Sequence, residues 1–192
     1  MARPSREQHI RGAALSCFAR LGYEGTRVRH IADEAGVSEA ALYRHWKSKE
    51  ALAASLFADG MRAYAAALEE AAQPPGTTSD RLARVIHRML DMYAEDPNLS
   101  VFLIEQQPRF IGALPPRFPY PLHVFERLVK AGQRNKEVKR GDPRLIAAIA
   151  LGCVTRPILV SRHSQRWELA AGERRQRELI AESAWEAIRR PG

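Results

Sequence analysis

The sequence has few cysteines and no long apolar segment. Only two of its 192 residues are cysteine, Cys17 and Cys153, and they stand far apart in apolar helical patterns. A disulfide framework and a thiolate metal site are therefore excluded as organising devices. The longest apolar run, 145–154, is about half of the ~20 residues that a membrane-spanning helix needs. The polar, basic segment 1–6 has no apolar stretch behind it, so we expect neither a membrane span nor a secretory signal, and a cytoplasmic location.

Catalytic signatures are also missing from the chain. It has no GxGxxG, GxxxxGK, GxSxG or HExxH motif, and its six histidines are scattered without metal-ligand spacing. We therefore expect no enzyme activity, no cofactor and no metal site. Lysine and arginine (30) outnumber aspartate and glutamate (22), which gives a net charge of +8 and a pI of about 10.0. This excess of positive charge favours an anionic partner.

Helix signals recur along the chain, whereas alternating strand patterns are scarce. Nine helices are predicted from capping residues, glycines and prolines, with starts near residues 6, 28, 39, 49, 78, 97, 122, 143 and 173. The proline-rich stretch 108–121 is predicted to be irregular, with at most one helical turn. The pattern predicts an all-α fold, with a three-helix head over 1–47 and a larger helical body over 48–192.

Residues 28–47 predict two short helices that cross around a tight turn. Ala32 leaves space for the second helix to pass over the first, and Gly36 supplies the left-handed backbone conformation that the turn requires. Ile31, Val37 and Leu42 form the small core between the two helices. This combination favours a DNA-binding helix-turn-helix over a purely structural helical hairpin.

Several short motifs follow one another between residues 5 and 57. They are Tyr23-Glu-Gly-Thr-Arg-Val28, Ile31-Ala32, Ala35-Gly36-Val37-Ser38, Leu42-Tyr43, His45-Trp46 and Ser48-Lys49-Glu50-Ala51-Leu52. Together they resemble the N-terminal signature of the tetracycline-repressor (TetR) family of transcription regulators. Trp46 stands where the family more often has phenylalanine, and Ala40 where glycine is frequent. The rest of the chain is similar to the family in length and helix count.

The resemblance implies that residues 39–45 form the recognition helix in the major groove of DNA. Glu39, Ala40 and Ala41 would face base edges, although the Glu39 carboxylate is equally consistent with a favourable position at a helix N-terminus. Phosphate contacts are implied for the hydroxyl of Tyr43 and the ring of His45, with a packing role as the alternative for His45. Phosphate contacts are also implied for Thr26, Arg27 and Arg29 at the start of the second helix, and for Lys49 at the start of the fourth. Ser38 caps the recognition helix, and Arg44 points to a base or to solvent.

Two helices in the body are more apolar than a monomer core requires. Residues 145–154 are apolar on every side of a helix, and the final helix has a broad apolar stripe. A homodimer that joins Leu145–Val160 and Gly172–Arg190 of each chain in a four-helix bundle would cover them, as the resemblance also implies. Its symmetry predicts a near-palindromic double-stranded DNA operator.

The resemblance further implies an unidentified small-molecule effector inside the body, which is then the ligand-binding and dimerisation domain. We expect a repressor that the effector releases from DNA by moving the fourth helix; the alternative is a helical dimerisation protein without sequence-specific DNA binding. Arg156 pairs with Glu105 or an anionic ligand in one interpretation, and is solvated or interfacial in the other. The pocket candidates are Met61, Tyr64, His87, Tyr93, Phe102, Glu105, Phe125 and Arg156.

Overall fold

Ten α-helices and one 3₁₀ turn make up the computed structural model, which describes residues 5–191. The helices are α1 (Arg6–Gly25), α2 (Val28–Glu34), α3 (Glu39–Tyr43), α4 (Lys49–Ala72), α5 (Thr78–Glu95), α6 (Pro97–Glu105), α7 (Gln107–Phe110), α8 (Pro121–Arg134), α9 (Pro143–His163) and α10 (Arg174–Ile188). The 3₁₀ turn is Ile111–Ala113. No strand occurs within residues 5–191, where Val138 and Arg189 form a single antiparallel bridge. The all-α fold is therefore confirmed.

Helix boundaries follow the capping residues that the sequence predicts. The Ser5 and Thr77 hydroxyls accept hydrogen bonds from backbone N–H groups in the first turns of α1 and α5, and the Asp142 carboxylate does so for α9. At Gly22 the backbone leaves the helical conformation, with φ of 71° and ψ of 162°, before one more turn reaches Gly25. These ends are set by nearest neighbours in sequence, which explains why local patterns predict them.

The connection between α6 and α8 is more helical than expected. It contains α7 and the 3₁₀ turn, so the prediction of at most one helical turn over 108–121 is wrong. Pro108 is tolerated because it stands in the first turn of α7, where a backbone N–H has no helical partner in any case.

Contacts divide the chain into two compact units. The first contains the residues up to Gly60 together with Asn98–Leu114, and the second contains Met61–Pro97 and the residues from Pro115 onward. The continuous helix α4 contributes residues to both units. This division does not test the functional domains 1–47 and 48–192, whose boundary stays a prediction.

Each unit has its own buried core. In the first unit the largest fully buried side chains include Ile10, Ile31, Leu42 and Phe57. In the second unit α9 packs against α8 and α10, and α5 also packs against α8 and α10. Burial of apolar side chains at these packed faces is the main stabilising contribution in both units.

The apolar character of α9 extends past the run at 145–154. By length and composition alone, α9 is a described helix that could cross a membrane, a property that core helices of soluble proteins share. Leu145, Ile149 and Val160 on this helix are exposed within one chain. Arg156 is also exposed, and the spacings of four, seven and four residues place all four side chains on one face.

Candidate DNA-binding surface

A tight turn joins α2 to α3 in the way that the sequence predicts. Gly36 has a φ of 61°, in the left-handed region. The N–H of Val37 donates to the carbonyl of Ala32 at 3.0 Å, which closes the turn. The Ser38 hydroxyl accepts from the N–H of Ala41 at 3.1 Å, so α3 begins with a side-chain cap.

Helix α3 has one buried face and one exposed face. Leu42 is fully buried, whereas the Tyr43 side chain beside it is 49% exposed. Ala41 is only 3% exposed, so the expectation that this residue faces base edges is wrong; its small side chain lies on the inner face of α3. Glu39 and Ala40 are exposed at the start of the helix.

The exposed surface around α3 is rich in positive and polar side chains. Its predicted members are Arg27, Arg29, Ser38, Glu39, Ala40, Tyr43, Arg44 and His45, and all are exposed. Lys47, which the sequence did not single out, is exposed beside them. A cationic surface with donor groups is suited to the phosphates of a DNA backbone. The individual contacts stay predictions.

Thr26 lies inside the first unit and not on this surface. Its side chain is 1% exposed, and its hydroxyl hydrogen is shared between the carbonyls of Gly22 at 2.7 Å and Cys17 at 3.1 Å. The prediction that Thr26 contacts a phosphate is therefore wrong for its side chain. Thr26 instead fixes the α1–α2 junction, because its hydroxyl bonds to carbonyl groups of α1.

Lys49 also holds the α1–α2 junction. Its Nζ donates to the carbonyls of Tyr23 at 2.8 Å and Thr26 at 2.9 Å, and it lies 4.4 Å from the centre of the Tyr23 ring. Burial raises the pKa of this tyrosine, so the ring stays neutral beside the ammonium group. The ammonium group has three N–H donors, and these two bonds use only two of them. A phosphate contact by Lys49 therefore stays a prediction. The structure adds a positioning role, because Lys49 ties the start of α4 to the end of α1.

The segment Asn98–Leu114 packs on α1 and α4 through residues that sequence analysis did not select together. The Phe102 ring stacks on Phe18 with centres 5.3 Å apart, and Phe110 meets Tyr23 edge-on at 5.9 Å. The Arg109 guanidinium lies over the Tyr23 ring, 4.6 Å from its centre. Arg109 also forms an ion pair with Glu24. No spacing rule links residues so distant in sequence, so local patterns carry no signal for this cluster.

His30 is a second residue that the sequence reading missed. Its Nδ1 accepts from the N–H of Arg27 at 3.2 Å and so closes the N-terminus of α2. The available signal was its place at the third helical position, where a side-chain acceptor can reach back to the cap residue. This bond orders the backbone next to the exposed Arg27 and Arg29.

Known proteins agree with this arrangement in sequence and in fold. Residues 10–56 match the model of bacterial regulatory proteins of the tetR family. The HTH-type transcriptional repressor DhaR of Mycobacterium sp. (strain GP1) is 34% identical over 153 residues, which cover 77% of each chain. The chain belongs to the TetR family.

One further relative and one solved structure extend the similarity over more than nine tenths of this chain. The fatty acid metabolism regulator protein of Bacillus subtilis (strain 168) is 27% identical over 184 residues, 93% of this chain and 94% of its own. The crystal structure of the transcriptional regulator FadR from Bacillus subtilis in complex with stearoyl-CoA has a TM-score of 0.74 at 24% identity. It covers 94% of this chain and 98% of that one. This TetR-family protein is therefore a transcriptional regulator and not an enzyme.

The predicted pocket residues of this TetR-family regulator lie in different environments. Met61, Tyr64 and Phe125 are buried in the second unit, Tyr93 is half-buried there, and Phe102 belongs to the first unit. Glu105 and Arg156 are exposed, so the alternative in which Arg156 is not buried agrees with the structure. The eight residues therefore do not line one cavity within either unit. No group of three or more metal-ligating side chains occurs between residues 5 and 191.

His87, another predicted pocket residue, lines a cleft within the second unit. The cleft, about 230 Å³, lies between α5 and α10 and includes Ala83, Trp185 and three glutamates. Burial, together with the nearby Arg177, lowers the pKa of His87. Its Nε2 is buried without a hydrogen-bond partner among the described residues. A neutral imidazole at this position can accept or donate one further hydrogen bond.

Replacing Lys49 by methionine is expected to lower the free energy of unfolding by about 1–3 kcal/mol, because two carbonyl groups lose their common donor. Lys49→Met keeps an unbranched apolar stem of similar length, so the change isolates the ammonium group. Lys47→Met is the matched control at an exposed position, with an expected effect within about 0.5 kcal/mol. Urea unfolding of both variants measures the difference. Equal losses in the two variants would contradict the positioning role of Lys49.

Proposed function

We propose that this TetR-family regulator is a repressor that binds a near-palindromic operator as a homodimer and is released by a small-molecule effector. The observation that carries the proposal is the exposure of α3 above a buried helix-turn-helix core. Tyr43 is exposed while its neighbours Ala41 and Leu42 are buried, so α3 offers one side to a duplex without unfolding. A helix held in this way fits the major groove of B-DNA.

In the proposed complex the exposed residues divide into two groups. Glu39 and Ala40 face base edges, where a carboxylate accepts from cytosine and a small side chain permits close approach. Arg27, Arg29, Tyr43 and His45 contact phosphates, and Arg44 is positioned for either target. The phosphate group supplies most of the affinity, whereas the start of α3 supplies the sequence preference.

The proposed dimer is formed by Leu145–Val160 and Gly172–Arg190. The exposed apolar residues of α9, with Leu179 on α10, form the face that a second copy would cover. Burial of such a face in a four-helix bundle removes apolar surface from water on both chains. A two-fold dimer places two α3 helices on one duplex, with half-sites about one helical turn (~34–36 Å) or a modest multiple apart.

The effector is proposed to act through the body, residues 48–192, in the cytoplasm. Stearoyl-CoA is the first probe to use, because the Bacillus subtilis regulator FadR was solved with this compound. In the proposed two-state mechanism, effector binding shifts α4 and so changes the spacing of the two α3 helices in the dimer. The state that can bind DNA then becomes less populated. Two features support this route: α4 runs through both units, and Lys49 at its start is bonded to the α1–α2 junction.

The deciding experiment selects bound sequences from a random DNA pool and then measures affinity for the selected operator against salt. We expect a near-palindromic site and a steep fall in affinity with salt, since each neutralised phosphate releases counterions. A protein that selects no site and shows no salt dependence would instead be the helical dimerisation protein considered above. Addition of stearoyl-CoA to the complex then tests release by that compound.

Tyr43→Phe is expected to weaken binding about tenfold on specific and random DNA alike, because the lost hydroxyl donates to a phosphate and not to a base. Tyr93→Phe is the matched control, since it removes the same hydroxyl from a residue of the second unit. Fluorescence anisotropy with both DNAs measures the change. A loss confined to the selected operator would contradict the phosphate assignment and make Tyr43 a base-reading residue.

A further inference from the structure

A cleft of about 280 Å³ in the second unit is lined by an excess of positive side chains. We call it the basic cleft. Its walls are one side of α4, the loop before α8 and the first half of α8, and its lining residues are Arg62, Ala65, Ala66, Glu69, Arg117, Phe118, Pro119, Tyr120, His123 and Arg127. The lining contains three arginines and one carboxylate, so these four side chains have a net charge of +2.

Two of the arginines are held in defined positions. The Arg62 guanidinium lies over the Phe118 ring, 5.2 Å from its centre. Arg127 forms an ion pair with Glu69 across the cleft, from α8 to α4. Guanidinium groups held by other contacts lose less side-chain freedom when they bind an oxyanion, and the N–H groups that those contacts leave over can donate to it.

The N-terminus of α8 adds to the positive potential of the basic cleft. Tyr120 occupies the cap position of this 14-residue helix, and its side chain makes no capping hydrogen bond. Tyr120 and His123 both line the basic cleft, so the first turn of α8 lies beside it. The N-terminal end of a helix carries a partial positive charge that favours anions. Arginines and helix dipole therefore act in the same direction.

Arg117 has a backbone conformation that an arginine rarely adopts. The N–H of Phe118 donates to the carbonyl of Pro115 at 3.1 Å, which closes a turn around Pro116 and Arg117. Arg117 has a φ of 66° in this turn, at the position where glycine is strongly favoured. Stability alone would select glycine here, whereas an arginine brings a third guanidinium to the basic cleft. Backbone strain of this kind concentrates at functional positions.

We propose that the basic cleft is a binding site for a diphosphate group, either free or as part of a nucleotide. Three guanidiniums and a helix N-terminus match the several oxygens of a diphosphate better than those of a monovalent anion. The apolar lining from Ala65, Ala66 and Pro119 accepts the organic remainder of an esterified ligand. The proposal goes beyond operator binding, and its test measures ligand binding without DNA.

Isothermal titration of the full chain with pyrophosphate, ADP, AMP and sulfate at matched ionic strength tests the site. Pyrophosphate and ADP are expected to bind at least about tenfold more tightly than AMP or sulfate, because the second phosphate engages additional charged donors. Tighter binding of ADP than pyrophosphate would assign the site to nucleotides, and the reverse order would assign it to free diphosphate. Equal weak binding of all four anions would show non-specific charge attraction and overturn the proposal.

Arg117→Gly separates a ligand-binding role from a structural one. Glycine relieves the strained turn, so Tm should be unchanged or higher by up to about 3 °C. Affinity for the diphosphate ligand should nevertheless fall by about tenfold to a hundredfold. Arg134→Gln, at the exposed C-terminal end of α8 and outside the basic cleft, is the matched control and should bind as the wild type does. Unchanged affinity in Arg117→Gly would overturn the proposal.

Discussion

Replacing Leu179 by arginine is expected to separate the proposed dimer into monomers. Operator binding should weaken by a factor of about 10²–10⁴, which is the gain that linked binding of two half-sites provides. Leu179 is 63% exposed on α10, although it belongs to a helix whose opposite side is buried. In a two-fold dimer one substitution changes the interface twice.

The physical reason lies in what the new side chain does at the interface. A leucine that becomes buried contributes about 1.5–3 kcal/mol relative to an exposed one, and this contribution is lost in both copies. An arginine in its place would put a charge on each side of the same contact, at a high desolvation cost. Light scattering at increasing protein concentration measures the dimer, and anisotropy measures operator affinity.

Leu21→Arg is the control for this experiment. Leu21 is another exposed leucine, but it lies on α1 in the first unit, whereas the proposed interface helices belong to the second unit. This variant should remain dimeric. A dimer that persists in Leu179→Arg at the same protein concentrations would place the interface on another face of the molecule.

Sequence patterns predicted the features that are determined within one turn of helix. Ser38 caps α3, Asp142 caps α9 and Gly36 adopts a positive φ because each of these roles depends on neighbours only two to four residues away. Such interactions have the same geometry in most folds, so their residue types identify them.

The same patterns failed where a role depends on which face of an element is buried. Thr26 and Ala41 belong to segments that the family resemblance assigns to DNA contact, yet both side chains lie inside the first unit. Their burial follows from the packing of α1 to α3 against one another, which a local pattern does not specify.

The largest feature absent from the sequence reading is the membership of Asn98–Leu114 in the first unit. These residues follow α5 and precede α8 in the chain, and both helices belong to the second unit. Their link to α1 depends on contacts between residues more than 80 positions apart, such as Phe18 with Phe102. No helical or turn periodicity encodes a contact at that separation.

Phe102→Ala is expected to lower the free energy of unfolding by about 3–5 kcal/mol, the usual cost of removing a buried aromatic ring. Phe102 is 4% exposed and stacks on Phe18 of α1. The lost ring would leave a cavity beneath the helix that supports α2 and α3. Operator affinity should fall with it, because a loosened α1 no longer fixes the α1–α2 junction.

Phe118→Ala provides the comparison for this variant. The Phe118 ring has the same size but is half-buried, so its removal should cost clearly less. Phe102→Leu retains most of the apolar volume and keeps the measurement possible if the alanine variant does not fold. Denaturant unfolding ranks the three variants by free energy of unfolding, and operator titration ranks them by DNA affinity. The stacked rings predict that Phe102→Ala loses more free energy of unfolding than Phe118→Ala and also binds DNA more weakly. Equal losses in the two variants would mean that Asn98–Leu114 is only a linker.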